Sequence, residues 1–122
     1  MRIFKNRFIA KFAEKQHISD EDLQAAIARA EQGLIDADLG GGVIKQRIAR
    51  RGQGKRGGYR SIILFKQDDK AFIVYAFAKN DRANISTDEL SAFKQAASAY
   101  LNYSDEQLSA LQQLGEILEI TP

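Results

Sequence analysis

Apolar positions in this chain follow a helical spacing at both ends and an extended one in the middle. Ile3 and Phe4 read as a short edge strand. Phe8, Ile9 and Phe12 recur at helical spacing and predict a helix over residues 6–15. A second helix is predicted from Ser19, whose hydroxyl can cap the open amides, with Asp22 three residues on in a near match to a capping box. Its buried stripe is Leu23, Ala26, Ile27, Ala30 and Leu34. Gly40, Gly41 and Gly42 end this half, because three glycines cannot sustain a helix.

The pattern then alternates. Over residues 43–49, Ile44, Gln46 and Ile48 share one face of a strand, with Lys45 and Arg47 on the other. Residues 50–58, with Gly52, Gly54, Gly57 and Gly58, read as a flexible loop. Residues 59–66 form a second strand and Gln67, Asp68 and Asp69 a turn. Residues 70–79 hold Phe72, Ile73, Val74, Tyr75 and Phe77, a strand buried on both faces and antiparallel to its predecessor. Two helices close the chain. Ser86 with Glu89 starts one, whose stripe is Leu90, Phe93, Ala97 and Leu101. Ser104 with Gln107 starts the other, which Leu108, Leu111, Leu114 and Leu118 extend to residue 120. The expected class is α+β: an N-terminal helical pair, an antiparallel sheet of three or four strands, and C-terminal helices.

At 122 residues the chain is sized for one domain. It has no cysteine and one histidine, His17, so thiolate sites and multi-histidine metal clusters are excluded. His17 reads as a surface residue between the first two helices. No apolar run approaches the roughly 18 residues of a membrane span, and residues 1–7 lack the apolar stretch of a signal peptide. The expected location is the cytoplasm.

Charge sharpens the picture. Residues 39–67 contain no Asp or Glu but hold Lys45, Arg47, Arg50, Arg51, Lys55, Arg56, Arg60 and Lys66, which is 8 of the 18 basic residues. The rest of the chain, with 10 basic and 16 acidic residues, sums to −6. A basic block in an otherwise acidic chain is the electrostatic footprint of a polyanion site. The alternative is a solvated loop. The acidic C-terminal part, from residue 83, either shields a basic groove or lies in solvent.

The chemistry available is that of fixed cations. Gly52 to Gly57 lack the Ser or Thr that follows Lys in a phosphate-binding loop, and a strand follows where a helix is required. Carboxylates do not cluster near the basic block, which argues against a two-metal nuclease, and no cofactor is expected. Lys45 and Arg47, two apart on a strand, lie about 6.5–7 Å apart, the scale of neighbouring phosphates. Arg60, on the next strand, has the fork that grips phosphate oxygens. A metal-free ribonuclease uses the 2′-hydroxyl of RNA as nucleophile. It must align that group, take its proton, stabilise charge at phosphorus and assist the leaving 5′-oxygen. A lysine crowded by other cations gives up its proton more readily and can serve as base or acid, which makes Lys45, Lys55 and Lys79 candidates. Bases in single-stranded RNA are gripped by stacking. Tyr75 reads as core, whereas Tyr59 fits core packing and base stacking equally.

Ile44 to Arg50, Gly54 to Arg60 and Val74 to Asp81 together resemble the RelE/ParE superfamily of toxins, most closely its RelE/HigB-like branch. The resemblance spans residues 1–102 and leaves residues 103–122 as an additional C-terminal helix on the same domain. It implies a ribosome-dependent endoribonuclease that cuts mRNA in the ribosomal A site, and a cognate antitoxin, usually a helix-turn-helix protein, through whose complex alone the toxin oligomerises. It also implies that Arg60, in the Gly-Tyr-Arg step, contacts the scissile phosphate, and that Lys45, Arg47 and Lys79 occupy the family's basic positions. Arg50, Arg51, Lys55, Arg56, Tyr59, Asn80 and Arg82 are then the expected RNA contacts. Several relatives carry a Tyr or His after the last strand. Here residues 80–84 (Asn, Asp, Arg, Ala, Asn) offer neither. ParE-like members poison DNA gyrase instead. A gyrase-directed toxin and a non-catalytic RNA-binding module are therefore the alternatives to an mRNA endonuclease.

Overall fold

Strong alternation in the middle of the chain, flanked by capped amphipathic segments, produces a sheet with helices on both faces. The computed structural model describes residues 1–49 and 58–121. In chain order these form β1 (Arg2–Asn6), α1 (Arg7–Gln16), α2 (Asp20–Glu31), β2 (Ala37–Gly40), β3 (Val43–Ile48), β4 (Tyr59–Lys66), β5 (Lys70–Ala78), α3 (Thr87–Tyr100), α4 (Asp105–Gln113) and β6 (Ile117–Ile120). The sheet order is β2-β3-β4-β5-β1-β6. β1 runs parallel to β5, and every other pairing is antiparallel. The class is α+β, as expected, but the described sheet has six strands where three or four were predicted.

Each face has its own core. Ile44, Ile48, Tyr59, Ile63 and Ile73 pack under α1 and α2 against Ile9, Leu23 and Ile27. Phe4, Val43, Ile62, Leu64 and Phe72 pack under α3 and α4 against Ala97, Leu101 and Leu108. Four of the sequence expectations change. β1 is an interior strand and not an edge, because the chain end supplies β6 on its far side. α2 stops at Glu31, which leaves Leu34 outside the buried stripe and 59% exposed. The three glycines do not end a helix: they turn β2 into β3, each at positive φ (84°, 63° and 83°). α4 ends at Gln113 and not at residue 120. Gly115, at φ 73°, turns the chain into β6, which puts Leu114 and Leu118 at the surface.

The caps account for where three helices begin. Ser19, Ser86 and Ser104 each accept from the amide three residues on, and each is answered by Asp22, Glu89 or Gln107 in a complete capping box. His17 ends α1 in the left-handed conformation at φ 58° and is exposed. Asn6 does two things at once. Its Oδ1 caps α1 by accepting from Ile9, and its Nδ2 donates to the Val74 carbonyl at 2.9 Å. That carbonyl sits at a register shift: Ile62 faces Tyr75 and Ile63 faces Ile73, so Val74 is an extra residue in β5.

Among the described residues two polar side chains, Gln46 and Ser61, lie wholly inside. Gln46 on β3 donates to the carbonyls of Ala26 and Leu34, both at 3.0 Å, and accepts from the Asp36 amide at 2.9 Å. The Ser61 hydroxyl donates to its carbonyl at 2.7 Å. The Gln46 amide group thus joins β3 to α2 and to the segment entering β2. Gln46→Ala leaves these buried groups unpaired and should lower unfolding free energy by about 2–3 kcal/mol, read as a lower urea midpoint. A midpoint equal to wild type would show that the network carries no stability.

Candidate nucleic-acid interface

Strand register decides which cations meet. On the α3 side of the sheet, three rows cross β3, β4 and β5. Val43, Leu64 and Phe72 form the first and lie in the core with Ala97 and Leu101. Lys45, Ile62 and Tyr75 form the second, and Arg47, Arg60 and Phe77 the third. Chemistry therefore changes across one face, from apolar beneath α3 to cationic and aromatic at the far end. Lys45, Arg47 and Arg60 are all partly exposed.

Arg47 and Arg60 stand directly opposite each other. Facing residues on adjacent strands hold their Cβ atoms about 4.5–5.5 Å apart, and like charges there destabilise the pair. Among the described residues, neither arginine forms an ion pair, nor do Lys45 or Lys79. Several cations elsewhere are answered. Arg2 pairs with Asp105 and Glu119, Lys5 with Asp20, Arg7 with Glu116, and Arg82 with Glu89. Most of the acidic C-terminal residues are thus spent on these internal pairs. The Arg47 backbone is fixed by a 2.7 Å hydrogen bond from its amide to Asp36 and by Arg29, which donates to its carbonyl. Its side-chain Nε is buried with no partner. The backbone is clamped while the guanidinium keeps donors to spare.

Gly58 brings β4 into this arrangement. A Cβ at that position would lie 2.9 Å from the Ile48 carbonyl, so only glycine lets the strands close up beside the Arg47–Arg60 row. Arg50, Arg51, Lys55 and Arg56 lie outside the described residues, as does most of the predicted loop. Lys79 and Asn80 are exposed just past the end of β5, at the same end of the sheet as Arg60.

Two expected RNA contacts are engaged elsewhere. Tyr59 is 1% exposed and faces α1, away from Arg60. Its ring meets Phe12 edge-on at 5.3 Å and its hydroxyl donates to Gln16 at 2.8 Å, so core packing, and not base stacking, describes it. Arg82 donates to both Glu89 carboxylate oxygens, to the Tyr75 hydroxyl at 3.1 Å and to the Asn84 carbonyl. Its guanidinium lies over the rings of Tyr75 and Phe77, 5.8 and 5.7 Å from their centres. Arg82 thus roofs the aromatic end of the rows. Tyr75, expected in the core, stands half-buried at its rim. The bulge at Val74 turns it there, and a uniform alternation read from sequence cannot register one extra residue.

Among the described residues, no group of three or more His, Cys, Asp or Glu side chains is arranged to hold a metal ion, and no helix is long and apolar enough to cross a membrane. The family model for the RelE toxin of the RelE/RelB toxin–antitoxin system matches residues 1–120. The chain belongs to the RelE toxin family. It is accordingly a toxin of a toxin–antitoxin system, and its partner is a cognate antitoxin. The match runs through α4 and β6, so these elements lie within the matched part of this RelE-family chain.

The hydrogen bonds from Arg82, followed by the amide of Ser86, hold the Glu89 carboxylate well below its ordinary 4.5, at about 2. The same contact raises the Arg82 guanidinium. A depressed carboxylate stabilises the fold fully above its unfolded value and loses that contribution as pH falls through its folded one. The tie between α3 and the end of β5 should therefore be complete at pH 5 and above and fade between about 4.5 and about 2. Carboxyl NMR should find Glu89 among the last groups to protonate. An ordinary titration midpoint for Glu89 would contradict the pairing.

Proposed function

We propose that this RelE-family toxin is a ribosome-dependent mRNA endonuclease whose cutting surface is the Lys45, Arg47 and Arg60 array. The reading rests on one observation: among the described residues, two arginines and a lysine share one partly exposed face with no ion-pair partner, whereas seven of the eleven other described Lys and Arg side chains are paired. Such an arrangement is disfavoured in the free protein and relieved by a polyanion.

In this mechanism the Arg47 and Arg60 guanidiniums bind non-bridging oxygens of the scissile phosphate and hold it for in-line attack. The adjacent 2′-oxygen forms a bond to phosphorus while the bond to the 5′-oxygen breaks, giving a 2′,3′-cyclic phosphate and a 5′-hydroxyl. The 2′-hydroxyl gives up its proton and the leaving 5′-oxygen gains one, transfers we assign to the Lys45 and Lys79 amines. Charge that gathers on phosphorus meets fixed cations, so little reorganisation is needed as the transition state forms. The ribosome contributes the alignment of the mRNA, which explains how a small chain without a deep catalytic constellation achieves cleavage. The antitoxin, read as a helix-turn-helix protein, silences the surface by covering or distorting it, and the toxin assembles only through that complex. Arg50, Arg51, Lys55, Arg56 and Asn80 add contacts to the RNA backbone, and the setting is the cytoplasm.

Arg60→Ala should reduce mRNA cleavage on purified ribosomes about 100- to 1,000-fold and abolish growth arrest. Its circular dichroism and thermal midpoint should stay close to wild type. Undiminished cleavage by this variant, or intact mRNA accompanied by induction of the DNA-damage response with the wild-type chain, would overturn the assignment.

A further inference from the structure

Phe8 is a large aromatic residue in the first turn of α1 with 43% of its surface exposed, outside both buried clusters. Its ring stacks on Tyr75 at 5.0 Å with 28° between planes, and on Phe12 at 5.8 Å with 18°. Tyr75 in turn lies 6.0 Å from Phe77 and 6.1 Å from Phe93, beneath Arg82. Phe8 thus lies between Tyr75 and Phe12 in a run of neighbouring rings, and it is the one of them that is exposed.

Its position follows from the rows described above. Lys45, Ile62 and Tyr75 lie in line across three strands, and Phe8, two residues past the end of β1, the other neighbour of β5, stacks on the Tyr75 end of that line. With strands spaced about 4.8 Å apart, Lys45 and the Phe8 ring are separated by roughly 15 Å. A single strand of RNA whose phosphate sits at Arg60 brings a neighbouring base within that span. The surroundings favour a polyanion. The first turn of α1 carries no acidic residue, so no carboxylate of that turn offsets the positive end of the helix dipole. Lys11, three residues from Phe8 and so on the same side of the helix, is exposed and forms no ion pair among the described residues.

We propose that Phe8 is a base-stacking residue of the toxin, receiving the base of a nucleotide that flanks the cleavage site, with Lys11 beside it for the backbone. The inference deepens the nuclease reading and rests on it for the placement of the phosphate. An aromatic face accepts any base, so the contribution is to affinity and strand direction more than to sequence choice.

The test uses the full chain and a short single-stranded RNA carrying one 2-aminopurine, whose fluorescence is quenched by stacking. Wild type should quench the probe. Phe8→Leu retains an apolar cover over Tyr75 but removes the π-face, and should weaken binding about tenfold and abolish quenching. Phe8→Tyr should restore both. Thermal midpoints of the variants separate lost stacking from lost packing. Wild-type quenching and affinity in Phe8→Leu, or no quenching by the wild-type chain, overturns the proposal. So does a Phe8→Leu variant that binds RNA normally but loses affinity for the antitoxin, which would make Phe8 a protein contact. Ribosomal cleavage assays run in parallel keep the two ideas apart. Cleavage that persists in Phe8→Leu with unaltered RNA affinity defeats the stacking role and leaves the nuclease reading standing. Quenching by a chain that cuts nothing defeats the nuclease reading alone.

Discussion

Val74 is one residue more than the ladder between β4 and β5 can pair, and the molecule is arranged around that surplus. A regular strand would send Tyr75 to the α1 side. The bulge sends it, with Phe77, to the side that carries Lys45, Arg47 and Arg60. The freed Val74 carbonyl is taken by Asn6, the residue at which β1 becomes α1. One asparagine therefore ends a strand, starts a helix and steadies an irregularity in the strand paired with the one that carries Arg60. Without a donor at that place, a part-buried carbonyl would be left without this partner.

The second organising feature is the sorting of charge. Arg2 with Glu119 and Asp105 ties the first strand to the last elements, and Arg82 with Glu89 ties β5 to α3. The Arg2 contact holds the Glu119 carboxylate below its usual range. These pairs are partly solvated, and each is modest on its own. They also sort the charges: Glu89 on α3, Asp105 on α4 and Glu119 on β6 each face a cation of their own, away from Lys45, Arg47 and Arg60. A chain with a net charge of only +2 can thereby keep a local cluster of cations.

Most of the frame could be read from residue pattern. Ser19, Ser86 and Ser104 mark helix starts because a capping box is a local interaction between residues three apart. Lys45 and Arg47 share a face because alternation is a property of a single strand. What escaped reading depends on partners distant in sequence. β6 follows a leucine spacing that is equally helical, and only pairing with β1 makes it a strand. β2 is four residues long and sits next to three glycines that imitate a helix terminus. Tyr59 and Arg60 are adjacent in the chain yet lie on opposite faces, so the fate of Tyr59 hinged on Phe12 and Gln16, more than forty residues away. Arg82 looked like an available cation until Glu89 came beside it.

Gln46 bears on the accuracy of strand pairing. A slip of one position between β3 and its neighbours would invert inside and outside and is strongly resisted by the apolar pattern. A slip of two keeps the same set of residues facing inward and would put Ile44 or Ile48 where Gln46 belongs. Placing an amide where the middle isoleucine would otherwise fit makes the two-step error costly, because an aliphatic group would then meet the carbonyls of Ala26 and Leu34 and the Asp36 amide. A residue that never sees solvent thus acts as a key, and it keeps opposing guanidiniums aligned at the protein's exterior.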